Sequence, residues 1–269
     1  MIRVPSPAKL NLFLHITGRR ENGYHELQTI FQLIDLYDWM IFTPTLGEEI
    51  EIDGLSEVRP EENLIYRAAQ ILKPHAKKFC GLHIKIEKNI PMGAGLGGGS
   101  SDGTAALLIL NQQFSLGLND EQLIDYASQL GSDCPFFVYN KACHATGRGE
   151  ILTPIALDLS NYQFLLVHPG KHISTAWAFQ QLTPNTKSES IQSIIQKPMT
   201  EWKDLLINDF EAPVFKAEPT LHSIKEQLYQ LGAIYASMSG SGSSLFGIFP
   251  KHHFEHAPSI EHALRINLV

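Results

Sequence analysis

The residues Pro91-Met92-Gly93-Ala94-Gly95-Leu96-Gly97-Gly98-Gly99-Ser100-Ser101 form a run with little side chain between its backbone and an approaching ligand. Glycine permits positive φ, so successive N–H groups can turn inward as a concave row of donors. The two serines suit a helix N-cap, and residues 104–110 read as the helix that follows. A donor-lined loop entering a helix N-terminus attracts anionic oxygen, phosphate above all, so a nucleotide triphosphate is the expected occupant. No lysine precedes Ser100-Ser101, which excludes a Walker A loop. Gly93-x-Gly95-x-x-Gly98 matches a dinucleotide fingerprint, yet residues 82–88 before it alternate apolar and polar. That alternation suits a half-exposed strand of an antiparallel sheet, whereas a fingerprint strand is apolar on both faces. The remaining alternative is a flexible glycine linker, disfavoured by the clean strand before it and the clean helix after it.

Other groups carry weaker signals. In a strand over residues 8–16, Leu10, Leu12, Leu14 and Ile16 share one face, leaving Lys9, Asn11, Phe13 and His15 on the other. Arg20-Glu21-Asn22-Gly23-Tyr24-His25 reads as a polar turn whose tip offers a stacking face and an imidazole edge, or simply a packed loop tip. Ser239-Gly240-Ser241-Gly242 is a second small-residue loop, able to support a phosphate site or to serve as a plain hairpin. His252, His253, His256 and His262 read as a solvated surface and not a metal site, because Pro258 interrupts the helix that would align them. Cys80, Cys134 and Cys143 are odd in number and lack CxxC spacing, so neither a disulfide framework nor a zinc site is expected.

These groups need elements to position them. Strands are expected over 29–36, 39–43 and 48–52, then a helix over 61–72. A helix capped by Asn119 and Gln122 closes at Gly131. Strands over 136–139 and 143–146 precede a turn at 147–150, and the character of the chain shifts near 154–161. The second half offers a strand over 164–168, a helix starting at Ser174 or Thr175, and a polar, mobile loop over 183–193. Helices over 200–215 and 220–231, the latter closed by Gly232, lead to a strand over 245–249. The length of 269 residues allows one large domain or two ordinary ones, and 43% hydrophobic with 18% charged residues is a globular composition. A net charge of −7 argues against nucleic acid as the main partner. No apolar run reaches membrane-spanning length and no signal segment is recognised, so a cytoplasmic protein is expected.

Pro5-Ser6-Pro7-Ala8-Lys9-Leu10-Asn11-Leu12, the glycine run and Ser239-Gly240-Ser241-Gly242 resemble, in order and spacing, the three motifs of the GHMP small-molecule kinases. The Tyr24-His25 turn and Leu130-Gly131-Ser132-Asp133-Cys134-Pro135-Phe136-Phe137 narrow the resemblance to members acting on cytidine-diphosphate methylerythritol, ahead of mevalonate- or homoserine-type kinases. The resemblance implies an α+β, two-domain GHMP kinase fold. Its N-terminal domain, residues 1–156, would be of ribosomal-protein-S5-like type and its C-terminal domain, 157–269, a ferredoxin-like α/β sandwich, with the active site in the interdomain cleft.

The implied reaction is ATP-dependent phosphorylation of a 2-hydroxyl in non-mevalonate isoprenoid precursor synthesis, with Mg²⁺ bridging the phosphates. The implied partners are these small molecules, with no nucleic acid, membrane or obligate protein partner. Asp133 would be the general base and Lys9 the cation that eases ionisation and offsets phosphoryl charge. Residues 91–101 would hold ATP, with Ser239, Gly240, Ser241 and Gly242 supporting the phosphate end. Asn11, Tyr24, His25, His168 and Phe179 would bind the acceptor, Tyr24 and Phe179 as stacking walls. Read without the resemblance, Asp133 suits a helix N-cap before Pro135 better than a base, Lys9 suits a solvated strand lysine better than a catalytic one, and Phe179 is as readily a core residue as a stacking wall. Ser100, Ser101 and Asp133 are conceivable Mg²⁺ contacts, with no ligand assigned. Two departures from the motif stand out: Cys134 replaces the more usual valine, and Asp102-Gly103 replaces Asn-Ala or Asp-Ala. Within the first helical turn, Gly103 would cost about 0.5–1 kcal/mol relative to alanine.

Overall fold

The strand expected over residues 8–16 extends in both directions, and β1 runs from Ile2 to Arg19. The two strands expected over 29–36 and 39–43 are one continuous β2, His25–Thr45. The computed structural model describes residues 1–21, 23–77, 79–183, 190–251 and 261–269. It divides into two compact units, to both of which β1 and β2 contribute. Unit 1 comprises Met1–Ala8, Leu36–Met92 and Gly97–Lys141; unit 2 comprises Lys9–Asp35, Gly93–Leu96 and Ala142–Val269.

In unit 1, β3 (Ile50–Asp53) runs parallel to β4 (Gly81–Glu87), and β4 runs antiparallel to the end of β2 with Trp39 opposite Glu87. Helices α1 (Leu64–Leu72), α2 (Gly98–Gln113), α3 (Asp120–Leu130) and α4 (Cys134–Tyr139) bury Ile65, Ala69, Ala106, Leu110 and Leu123 with Phe42 and Ile84 of the strands. The Asn119 side chain accepts from the Gln122 N–H and the Gln122 side chain from the Asn119 N–H, the capping box expected at the start of α3. Gly131 does close α3, but at φ 177°, an extended conformation open to any residue.

Residues 136–139 are helical, contrary to the expected strand. Aromatic and β-branched residues fit any well-buried surface, and here Phe136 and Phe137 are buried in a short helix with Pro135 in its first turn. The expected serine N-cap is also overturned: α2 begins at Gly98, its N-cap is left-handed Gly97, and both serines lie inside the helix.

Gly103 consequently sits beyond the first turn, against α1. An added Cβ would lie 2.6 Å from Leu64 Cβ and 3.3 Å from the Leu64 backbone. Alanine would gain about 1 kcal/mol of helix propensity, but overpacking between two helix backbones costs about 1–3 kcal/mol and here exceeds that gain. Gly103→Ala is expected to destabilise the protein by about 1–2 kcal/mol, read from its urea-unfolding midpoint; a stabilised variant would contradict the close approach.

In unit 2, β5 (Cys143–Thr146) pairs antiparallel with β2 at Thr29–Phe31 and with β6 (Ile151–Pro154). A second, four-stranded antiparallel sheet has the order β10-β7-β9-β8, built from β7 (Tyr162–Val167), β8 (Tyr235–Met238), β9 (Leu245–Pro250) and β10 (Ala263–Ile266). Helices α5 (Thr175–Gln180), α6 (Ile191–Ile194), α7 (Trp202–Leu205), α8 (Glu211–Ala217) and α9 (Pro219–Gln230) complete the unit. The helix expected to start at Ser174 or Thr175 is α5, which begins at Thr175 with Ser174 as its N-cap.

The single helix expected over 200–215 is instead broken between α7 and α8, and the reason is Asn208. Fully buried, its Nδ2 donates to the carbonyls of Met238 (2.6 Å) and Gly240 (2.8 Å), which hold the small-residue loop in place. Ile191 and Ile194 of α6 are buried, so the end of the expected mobile loop is folded; its residues 184–189 lie outside the described residues. His252, His253 and His256 of the histidine-rich tail also lie outside them, as does Asn22 of the polar turn.

Candidate active site

The glycine run is shared between the units, residues 93–96 with unit 2 and 97–101 with unit 1. Gly93, Gly95 and Gly97 have φ of 66°, 78° and 70°, the region in which backbone N–H groups can form a concave row. In unit 2 this segment is tied to the Ser239–Ser244 loop: Ser239 Oγ donates to Gly95 O (2.9 Å), and Ser244 N to Ala94 O (3.2 Å). Lys9 N donates to Leu96 O (3.0 Å), and Asn11 N to Ser239 Oγ (3.1 Å). Three motifs far apart in sequence therefore meet in one hydrogen-bonded assembly.

Lys9 is 3% exposed, which removes the reading of a solvated strand lysine. Its ammonium donates to Asn11 Oδ1 (2.6 Å) and lies 4.9 Å from the centroid of the Phe31 ring. Asn11 Nδ2 donates to Thr29 Oγ1 (3.0 Å), so the amide aims the lysine while being held itself. Also in unit 2, Thr175 Oγ1 and Ser241 Oγ lie 2.8 Å apart, and Ser243 Oγ donates to the Lys171 carbonyl.

In unit 1 the first N–H to bond within α2 is that of Ser101, to Gly97 O (2.9 Å). The preceding N–H groups face out of the helix end, where the helix dipole favours negative charge. Thr104 Oγ1 lies 2.9 Å from Ser100 O and 3.0 Å from Cys134 O, linking α2 to the turn that carries Asp133. Asp133 occupies the N-cap position of α4 but makes no capping hydrogen bond, so the capping alternative fails. Burial pushes the Cys134 thiol up to about 11, keeping it protonated.

Sequence reasoning missed a polar cluster beneath the helix start. Lys88 pairs with Asp102 Oδ2 (2.7 Å) and with Asp38. Asp38 Oδ1 accepts from the N–H groups of Asn89 (2.6 Å) and Ile90 (2.8 Å), fixing the chain as it enters the glycine run. Ser6 Oγ donates to Asp102 Oδ1 (2.7 Å) and lies 2.9 Å from Ser101 Oγ, which accounts for the serine of the N-terminal motif. Burial raises the Asp102 carboxyl to about 6 against the opposing pull of Lys88, with Asp38 adding to the rise. The available signal was Lys88 directly after an alternating strand, followed at Asp102 by an acid in the wrong place for a helix cap.

At the turn tip of unit 2, His25 stacks on Phe179 with centroids 5.2 Å apart and planes at 23°, and Phe179 meets Phe210 edge-on at 4.9 Å. Partial burial, then Arg19, holds the His25 imidazole below its usual value, leaving it neutral near pH 7. Tyr24 is 56% exposed, with the Arg148 guanidinium 5.2 Å from its ring centroid. His168 Nδ1 lies 3.3 Å from Ser244 Oγ; burial, with His262 assisting, lowers its pKa.

Residues 63–141 match the family model for the GHMP kinases N terminal domain, and residues 190–269 match that for GHMP kinases C terminal. These matches, with the assembly around the glycine run, set the class as that of the GHMP kinases. A 4-diphosphocytidyl-2-C-methyl-D-erythritol kinase of Acinetobacter baumannii is 53% identical over 248 residues, covering 91% of this chain and 86% of that protein. A crystal structure of 4-(cytidine 5'-diphospho)-2C-methyl-D-erythritol kinase is similar at TM-score 0.82 and 31% identity, covering 99% of both chains. A mevalonate kinase crystal structure covers 100% of this chain and 99% of its own at TM-score 0.71, but its 16% identity speaks for the fold alone. The chain belongs to the 4-diphosphocytidyl-2-C-methyl-D-erythritol kinase family of GHMP kinases, and its GHMP kinase fold of mixed helices and strands is the one the motifs implied. No helix among the described residues is long and apolar enough to cross a membrane.

Proposed function

We propose that the protein transfers the γ-phosphoryl group of ATP to the 2-hydroxyl of 4-diphosphocytidyl-2-C-methyl-D-erythritol, releasing ADP and the 2-phosphate. This is a cytoplasmic step in non-mevalonate isoprenoid precursor synthesis. The 53% identity over nine-tenths of the chain carries the reading. The neutral His25 stacked on Phe179 supports a nucleobase-bearing acceptor, which a mevalonate- or homoserine-type substrate is not.

Phosphoryl transfer is mostly positioning and charge stabilisation. The acceptor oxygen bonds to the γ-phosphorus, its proton passes to Asp133, and the bond to the β,γ-bridging oxygen breaks with its electron pair leaving on ADP. Lys9 offsets the charge gathering on the phosphoryl oxygens, its ammonium preorganised by Asn11 and by burial. The glycine run and the α2 N-terminus bind the phosphates, with the Ser239–Gly242 loop bracing residues 93–96. Tyr24, His25 and Phe179 take the cytosine end, and His168, held 3.3 Å from Ser244 Oγ, is assigned to the acceptor as well.

Among the described residues no three His, Cys, Asp or Glu side chains cluster as a cage for a metal ion. Ser100 and Asp133 are the oxygen donors that would hold a Mg²⁺ arriving with the nucleotide, and the ion would supply neutralisation of phosphate charge.

The test is ADP release by the purified protein with ATP and Mg²⁺. Turnover is expected with 4-diphosphocytidyl-2-C-methyl-D-erythritol and not with mevalonate or without acceptor. Turnover of mevalonate would overturn the acceptor assignment, and silence with every acceptor would overturn the kinase reading.

A further inference from the structure

The turn from Asn208 to Glu211, between α7 and α8, joins parts of unit 2 that belong to different sheets. β1 pairs with β2 in one sheet, whereas β8 pairs with β9 in the other. On the β1 side, Asp209 N donates to Leu14 O (2.8 Å), and Ile16 N donates to Asp209 Oδ2 (2.7 Å). On the β8 side, Met238 N donates to Glu211 Oε1 (2.9 Å), and Asn208 Nδ2 holds the carbonyls of Met238 and Gly240. Asn208 Oδ1 accepts from Phe210 N (3.0 Å), so both ends of this fully buried amide are engaged. Glu211 is 6% exposed and pairs with Lys225 Nζ at 2.6 Å. A buried carboxylate needs such a partner, so Lys225 on α9 helps keep Glu211 facing Met238.

Ser239 and Gly240 follow directly on Met238. Ser239 Oγ donates to Gly95 O and accepts from Asn11 N, and Asn11 Oδ1 in turn holds the Lys9 ammonium. A chain of hydrogen bonds therefore runs from Asn208 through the small-residue loop, to the glycine run on one side and to Lys9 on the other. A misplacement of about 1 Å set far from the chemistry can cost about a hundredfold in rate.

We infer that Asn208 is a positioning residue for nucleotide binding and phosphoryl transfer: it fixes Met238 and Gly240 against β1, and through Ser239 sets Gly95 and Lys9 relative to one another. The inference rests on the proposed function, which gives Lys9 and the glycine run their roles.

Asn208→Ala is expected to weaken ATP binding about five- to tenfold, read by calorimetry with MgATP and no acceptor, and to lower kcat about tenfold. Ile194→Val removes a buried methyl group from α6 and is the control for stability: its Tm should fall while its ATP affinity stays within about twofold. Ser239→Ala cuts the chain one link nearer the nucleotide, so adding Asn208→Ala to it should change ATP affinity by no more than about twofold. Unchanged ATP affinity in Asn208→Ala, an equal loss in Ile194→Val, or effects of Asn208→Ala and Ser239→Ala that simply multiply would each overturn the inference.

Because calorimetry reads ATP alone, the inference can fail while turnover of the acceptor stands, and it can hold if the acceptor proves inert. A wild-type measurement serves if Asn208→Ala does not fold. Coupling between sites is reciprocal, so MgATP is expected to slow amide hydrogen exchange at Phe210 and Met238 at least about threefold. No slowing at these two amides overturns the inference.

Discussion

Asp133→Asn is expected to lower kcat by about a hundred- to ten-thousand-fold, the contribution of a general base in proton transfer. The amide matches the carboxylate in size but cannot take the proton of the attacking hydroxyl. ATP binding depends on the glycine run and the α2 N-terminus, so the KM for ATP should stay within about threefold. The fold should also survive, because Asp133 does not cap α4. Steady-state kinetics beside a thermal melt checks both halves. Turnover close to that of the wild type would remove Asp133 as the base, and a large drop in Tm would reassign it to structure.

Gly95→Ala should act through the backbone. Gly95 sits at φ 78°, and a Cβ there would stand 2.0 Å from the Ser239 carbonyl oxygen, a backbone atom that cannot swing aside. Left-handed strain alone costs on the order of 1–3 kcal/mol. Relief of the clash must separate residues 93–96 from the Ser239–Ser244 loop and so disturb the bonds at Gly95 O and Ala94 O. Lys9, whose N–H is bonded to Leu96 O, belongs to the same assembly. The variant is expected to raise the KM for ATP at least about tenfold and to lower kcat as well, because donors displaced from the phosphates lose their electrostatic contribution. Gly99→Ala is the matched control for stability, since a Cβ there meets nothing within 4 Å. A Gly95→Ala enzyme with the wild-type KM for ATP and Tm would show that the close approach is not needed for nucleotide binding.

Much of the local structure was legible in the sequence because short-range chemistry encodes it. The alternation before the glycine run is β4, the Asn119–Gln122 pair caps α3, residues 143–146 are β5, and Ser174 starts α5. Each depends on residues within a few positions of one another, where side-chain period and capping geometry act without the rest of the fold. The family was legible for a different reason: its motifs are ordered runs of residue types, which need no coordinates to compare.

Where the sequence misled, a distant partner had decided the outcome. Residues 136–139 have strand composition but are helical, because burial of Phe136 and Phe137 outweighs local preference. Asn208 breaks a helical stretch to reach carbonyls about thirty residues away, at Met238 and Gly240. Gly103 looked like a weak helix residue and instead lies close against Leu64 of α1, where an added Cβ would be 2.6 Å from Leu64 Cβ, a distance that no helix periodicity records. Buried polar partnerships were equally invisible: Ser6 meets Asp102 across 96 positions, and Lys88 is held between Asp38 and Asp102. The sequence by itself determined which residue types recur in which local pattern, and so the elements and the family. Only the tertiary structure decided which polar groups lost water and which neighbours replaced it, because desolvation and close packing depend on atoms brought together from remote parts of the chain.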